Sequence, residues 1–132
     1  MRFVDTSFWY SVQEHRDRNH FEAASLARSQ RGKLITSNHV VGETWTLVRR
    51  RAGHDAAVGF LDRMARLPRL DVVHVGGELE DEAMQWLRRH DEREYSFVDA
   101  TSFAVMRHRK IREALAFDGD FNAAGFVEVR LG

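Results

Sequence analysis

Residues 34–51, LITSNHVVGETWTLVRRR, carry a strand, a helix cap and a helix in one run. Leu34-Ile35-Thr36 is short, apolar and partly β-branched, which predicts a strand over 34–36. Ser37 and Asn38 are residue types that cap helix N-termini through their side-chain oxygens. From 39 to 51 the spacing turns helical, with Val40, Glu43 and Leu47 at i, i+3 and i+7. Arg49, Arg50 and Arg51 end that helix, where positive charge meets the negative end of the macrodipole. Gly53 stands just beyond. A strand that passes directly into a helix is half of a β–α–β unit.

The same alternation extends in both directions. Residues 2–5 predict a strand closed by Asp5. Residues 20–31 predict a helix, with Phe21, Ala24, Ala27 and Arg28 at helical spacing. A helix over 55–67 has Ala57, Phe60, Leu61 and Met64 on one stripe, and Pro68, the only proline, stops it. A strand over 71–75 follows, then a helix over 78–90 with Leu79, Ala83, Trp86, Leu87 and His90 on one face. A helix over 97–109, a strand over 114–117 and a last strand over 126–130 complete the series. Strands separated by helices imply right-handed crossovers and a mostly parallel sheet covered on both faces. This is an α/β fold, and ligands bind such sheets at the carboxyl ends of the strands. At 132 residues, the whole of 1–132 is expected to form one domain.

Composition narrows the function. Apolar residues make up 43% and charged residues 30%, as in a globular chain and not a disordered one. There is no cysteine, so no disulfide framework, thiolate metal site or cysteine nucleophile exists. No apolar run is long enough to span a membrane and no signal-peptide pattern opens the chain, so the expected location is the cytosol. The 20 basic and 20 acidic residues cancel, which argues against a strongly basic nucleic-acid footprint. Only Lys33 and Lys110 are lysine, leaving 18 arginines.

The informative residues are acids. Asp5 follows the first strand, Asp118 and Asp120 follow the strand over 114–117, Glu43 sits beside an apolar helix stripe, and Asp99 falls in the first turn of a helix. Each has a structural explanation of its own. Asp5 can cap a helix, Ser96 and Asp99 fit a capping box, and Asp118-Gly119 is a turn signal. Taken together they place several carboxylates at one edge of one sheet. Clustered carboxylates raise one another's pKa unless a cation intervenes. All-oxygen ligation suits Mg²⁺ or Mn²⁺. An ion so held orients water and stabilises a phosphoryl transition state. The seven histidines show no metal-ligand spacing, and His39 and His74 read as packing or surface residues. Neither a phosphate-binding G-x-x-x-x-G-K-[ST] loop nor a G-x-S-x-G elbow is present. Trp9, Trp45 and Trp86 read as core or interface anchors.

The ordered blocks Asp5-Thr6-Ser7, Ser37-Asn38 with Glu43, Asp99-Ala100-Thr101-Ser102-Phe103-Ala104 and Phe117-Asp118-Gly119-Asp120-Phe121 resemble the PIN domain family, most of all its VapC-type toxins. The resemblance implies a three-layer α/β/α sandwich with a mostly parallel central sheet. It implies a Mg²⁺- or Mn²⁺-dependent endoribonuclease that is the toxin of a type II toxin–antitoxin system. By motif, Asp5, Glu43, Asp99 and Asp118 bind the metal, Asp120 is a candidate fifth member, and Ser7 and Asn38 support water at the site. The resemblance further implies an RNA substrate, a homodimer, and a cognate antitoxin that blocks the acidic groove. The competing reading is a non-catalytic PIN-fold module that binds RNA or protein, with the acids as caps and turn residues. A receiver-like phosphoacceptor needs a lysine at its last strand, where Val127-Glu128-Val129-Arg130 has none. A haloacid-dehalogenase-like phosphatase needs an acid where Ser7 stands.

Overall fold

Every strand pairing is parallel, and the strand order 3-2-1-4-5 turns at the first strand. The computed structural model describes all 132 residues. In chain order the elements are β1 (Arg2–Val4), α1 (Thr6–Gln13), α2 (His20–Ser29), β2 (Leu34–Ser37), α3 (Asn38–Ala52), α4 (His54–Ala65), β3 (Leu70–Val73), α5 (Gly77–Arg89), α6 (Phe97–Arg109), β4 (Glu113–Leu115), α7 (Asp120–Ala123) and β5 (Val127–Glu128). The five-stranded sheet with seven helices is the expected α/β/α arrangement.

The middle strands bury both faces, as parallel strands must. Phe3, Val4, Ile35, Ala114 and Leu115 are almost fully excluded from solvent. Helix α6 is buried without a break from Asp99 to Met106. Phe103 on that helix is the aromatic hub. It meets Phe121 edge-on at 5.0 Å and Trp86 at 5.1 Å, and stacks on Phe126 at 5.5 Å. Such pairs add specific geometry to an already large buried apolar area. Trp9 and Trp86 are buried anchors, and Trp9 packs edge-on against Phe60.

Three local expectations change. Helix α2 buries Ala23 and Leu26, while Phe21 is 76% exposed, so the stripe runs one step out of phase with the predicted one. The fourth strand stops at Leu115, and the last is only two residues long. Helices α1 and α7 are additional to the predicted elements. Both are short, eight and four residues, and each follows directly on an aspartate- or glycine-containing turn at a strand end.

Strand order fixes where a site can form. From β1 the chain moves to one side for β2 and β3 and to the other for β4 and β5. The loops leaving β1 and β4 therefore diverge, and the crevice between them is the topological switch point. Asp5 leaves β1, and Asp118 follows β4. The Asp5 backbone N–H donates to the Leu115 carbonyl at 3.1 Å, joining the two exits.

Candidate active site

Asp5 sits at the N-cap of α1, where Oδ2 accepts from the Ser7 backbone N–H at 3.1 Å and from the Ser7 hydroxyl at 2.7 Å. The same Ser7 Oγ accepts from the Phe117 N–H at 3.0 Å. Asp99 closes a complete capping box: its N–H donates to Ser96 Oγ, and its Oδ2 accepts from the Ser96 N–H at 3.0 Å. Asp118 accepts the Asp120 N–H on Oδ1 at 3.1 Å. Asp120 accepts the Arg93 guanidinium on Oδ1 at 2.8 Å. The capping and turn roles read from the sequence are therefore all real. Each role uses one carboxylate oxygen, and the other oxygen of all four residues takes no hydrogen bond from the protein.

The acids converge. One ligand oxygen each of Asp99, Asp118 and Asp120 lie within 4.8 Å of one another. Asp5 is near enough to Asp118 and Asp99 to be perturbed by both. Burial, together with the Asp118 carboxylate, pushes the Asp5 carboxyl up to about 8. Burial pushes Asp99 up to about 7, with Asp118 and Asp120 adding to the effect against the Ser96 hydrogen bond. Asp118 is raised chiefly by the protein packed around it, although its outer side is open to solvent, which screens that charge. None of Asp5, Asp99 and Asp118 belongs to an ion pair, and the one cation on the cluster is Arg93, on Asp120. Free of cationic partners, oxygen-only and carrying spare lone pairs, with Asp5 and Asp99 buried and Asp118 open to solvent, this donor set fits a hard divalent cation.

Glu43 is not among the acids whose oxygens lie within 4.8 Å of one another. It is half-buried on α3 in a groove of about 630 Å³ that it shares with Thr6, Asn38, His39, Arg50 and Val98. Thr6 follows Asp5 and Val98 precedes Asp99, so the groove opens beside the acids. The fully buried face of α3 is Val40, Thr44 and Val48, which leaves Glu43 on its border. Ser37 provides the helix cap by accepting the Val40 N–H at 3.1 Å. Asn38 instead accepts the Val75 N–H on Oδ1 at 2.7 Å, so that oxygen ties the segment that follows β3 to the site and only its amide group is left to face the groove.

Two residues here carried no sequence signal. Glu128, with a side chain wholly excluded from solvent, accepts the N–H groups of Gly119, Phe121 and Asn122 and pairs with Arg130 at 3.0 Å. It holds the turn that carries Asp118 and Asp120. Arg93 stands in the charged run Asp91-Glu92-Arg93-Glu94, which reads as a solvated loop.

A parallel sheet ordered 3-2-1-4-5, with carboxylates gathered outside β1 and β4, defines a PIN domain. The chain belongs to that family, whose profile matches residues 2–127, and it is of the VapC type. The 23S rRNA-specific endonuclease VapC20 of Mycobacterium tuberculosis is 57% identical over 131 residues, 98% of each chain. The crystal structure of M. tuberculosis VapC20, a sarcin–ricin loop cleaving toxin, superposes with a TM-score of 0.93 at 56% identity, covering 99% of this chain and 100% of that one. A toxin–antitoxin complex from Klebsiella pneumoniae shares the fold, with a TM-score of 0.60 at 13% identity over 86% of this chain and 83% of that one.

Proposed function

We propose that this chain is a metal-dependent endoribonuclease toxin that cuts 23S rRNA at the sarcin–ricin loop. The observation that carries the chemistry is the close approach of Asp99 and Asp118, with Asp5 near enough to be perturbed by both, each with a spare oxygen and none with a cationic partner. The likeness to VapC20 over the full chain supports the substrate.

Asp5, Asp99 and Asp118 would hold Mg²⁺ or Mn²⁺, and Glu43 lines the groove beside them. When bound, such an ion offsets the charge that develops on the scissile phosphate and acidifies water at the site. The protein's own contribution is orientation. Ser7 fixes the Asp5 carboxylate, and the capping box fixes Asp99. Glu128 fixes the turn that bears Asp118. Asp5 and Asp99, with carboxyls raised toward neutrality, would have to give up their protons to serve as ligands. The groove along α3 gives a single-stranded loop access to the acids, and sequence-specific recognition of RNA favours such unpaired segments.

The partners follow from this reading. A cognate antitoxin neutralises the acidic crevice. Exposed apolar side chains, Phe21 at 76% and Val127 at 51% among them, supply surface for a homodimer. Cleavage of ribosomal RNA places the protein in the cytoplasm, and no helix is long and apolar enough to cross a membrane.

The test is incubation of the purified protein with a 23S rRNA fragment containing the sarcin–ricin loop, in Mg²⁺, in Mn²⁺ and in chelator. A single cut in the loop with either ion and none in chelator is expected. Metal-independent cutting, or tight RNA binding with no cut under any condition, overturns the reading.

A further inference from the structure

Arg93 is the one cation in contact with the acid cluster, and it engages that cluster twice. Its Nε donates to Asp120 Oδ1 at 2.8 Å, and its Nη2 donates to the Asp118 carbonyl at 3.3 Å. The Asp120 N–H in turn donates to Asp118 Oδ1 at 3.1 Å. A chain of contacts thus runs from the guanidinium through Asp120 to the Asp118 carboxylate, leaving Asp118 Oδ2 with no protein partner. Gly119 lies inside this bracket. A Cβ there would stand 3.4 Å from Arg93 Nη2, and its φ of 84° already disfavours other residues. Arg93 precedes Ser96, the cap that holds Asp99, by three residues, so one irregular segment reaches both sides of the crevice.

By proximity alone Asp120 is as good a ligand as Asp118, since both lie within 4.8 Å of Asp99. Charge separates them. Asp120 is already paired with a guanidinium whose side chain is 42% exposed, whereas Asp118 has no cation. A carboxylate matched by a guanidinium gives little net attraction to a metal ion.

We propose that Arg93 is a positioning residue that withdraws Asp120 from the metal's ligand set and fixes Asp118 beside Asp5 and Asp99. The inference rests on the metal-dependent reading above and deepens it by separating the two acids that follow β4.

Mn²⁺ titration by calorimetry, without RNA, supplies a readout independent of cleavage. Arg93→Gln frees the Asp120 charge, so Mn²⁺ binds about tenfold tighter, the effect of one added charge on a divalent ion at roughly 6 Å in a water-like dielectric. At saturating metal, cleavage by this variant slows, because Asp118 loses its support. Asp120→Asn leaves the Arg93 charge unbalanced and weakens Mn²⁺ binding about tenfold by the same reasoning, and the double variant Arg93→Gln/Asp120→Asn, with both charges gone, returns to the wild-type value. Arg93→Lys keeps the charge and therefore the affinity, but restores cleavage only in part, since an ammonium cannot span both acceptors.

A large loss of affinity in the charge-balanced double variant makes Asp120 a ligand and overturns the proposal. Unchanged affinity in Arg93→Gln makes the arginine a loop staple only, with the same consequence. Binding by wild type that Asp5→Asn abolishes shows that the metal reading stands in either case. No binding by wild type removes that reading and this inference together.

Discussion

The Ser7 hydroxyl donates to Asp5 at 2.7 Å and accepts the Phe117 N–H at 3.0 Å, so a single oxygen ties the end of β1 to the segment leaving β4. These are the two strands between which the sheet reverses its order. The serine aims an acid and locks the crevice in the same contact.

Ser7→Ala removes both bonds. Loss of two partly buried hydrogen bonds costs about 1–3 kcal/mol of stability. Without its hydroxyl donor, Asp5 is also harder to ionise, so Mg²⁺ affinity falls. Denaturant unfolding and metal titration check the two effects separately. A variant that loses stability and keeps wild-type metal affinity would show that Ser7 does not act through Asp5.

Asp5→Asn and Asp99→Asn abolish cleavage and stabilise the metal-free protein above pH 8. At that pH the native Asp5 and Asp99 carry charges that burial and their neighbours disfavour, and asparagine keeps the capping acceptor without the charge. The expected gain for Asp5 is several kcal/mol, at about 1.4 kcal/mol for each pH unit by which the folded pKa is raised. Thermal melts in chelator measure it. A lower melting temperature for both variants would contradict the electrostatic account.

Stability of the metal-free protein falls as pH rises. Folded Asp5 and Asp99 titrate near 8 and 7, above the ordinary value of 3.8, so across that interval the folded state binds more protons than the unfolded one. Their destabilising contribution is absent below about pH 4, grows between, and is complete above about pH 8. Saturating Mg²⁺ flattens or reverses the slope, because it replaces the protons and binds the folded state. Melting curves at pH 6 and pH 8.5, with and without Mg²⁺, decide this. Cleavage at limiting metal rises over the same range as protons stop competing.

Glu128→Gln leaves three backbone N–H groups facing a side chain with one acceptor and an unwanted donor, and removes the partner of Arg130. A cost of about 2–4 kcal/mol is expected for breaking a buried charged network. Metal affinity drops as well, since the turn carrying Asp118 loosens. Unfolding in urea, paired with Mn²⁺ titration, reads both. An unchanged midpoint would mean that the turn does not depend on Glu128.

Much of the fold is legible in short stretches of the chain. Ala57, Phe60, Leu61 and Met64 mark the buried face of α4, and Ser96 with Asp99 marks the start of α6, because these signals depend on residues three or four apart. The acids at the strand ends were legible for the same reason, as each follows a recognisable apolar run. Phe21 misled because a weakly amphipathic helix offers more than one acceptable phase, and packing chose Ala23 and Leu26. Glu128 escaped notice because alternation in Phe126-Val127-Glu128-Val129 groups the valines as the inner face. The structure buries Glu128 and leaves Val127 half-exposed, since the 119–122 turn presents three N–H donors to that side.

The amino-acid order alone determined the alternation of strands and helices and the identity of the acids, since both are written in local periodicity and in the residues that end each element. The three-dimensional packing decided which oxygens are spare, which acid meets a cation and which asparagine oxygen is already spent. Arg93 meets Asp120 across 27 positions of sequence, and Asn38 meets Val75 across 37. Contacts between irregular segments so far apart depend on how the sheet orders its strands, and no short-range pattern encodes that order.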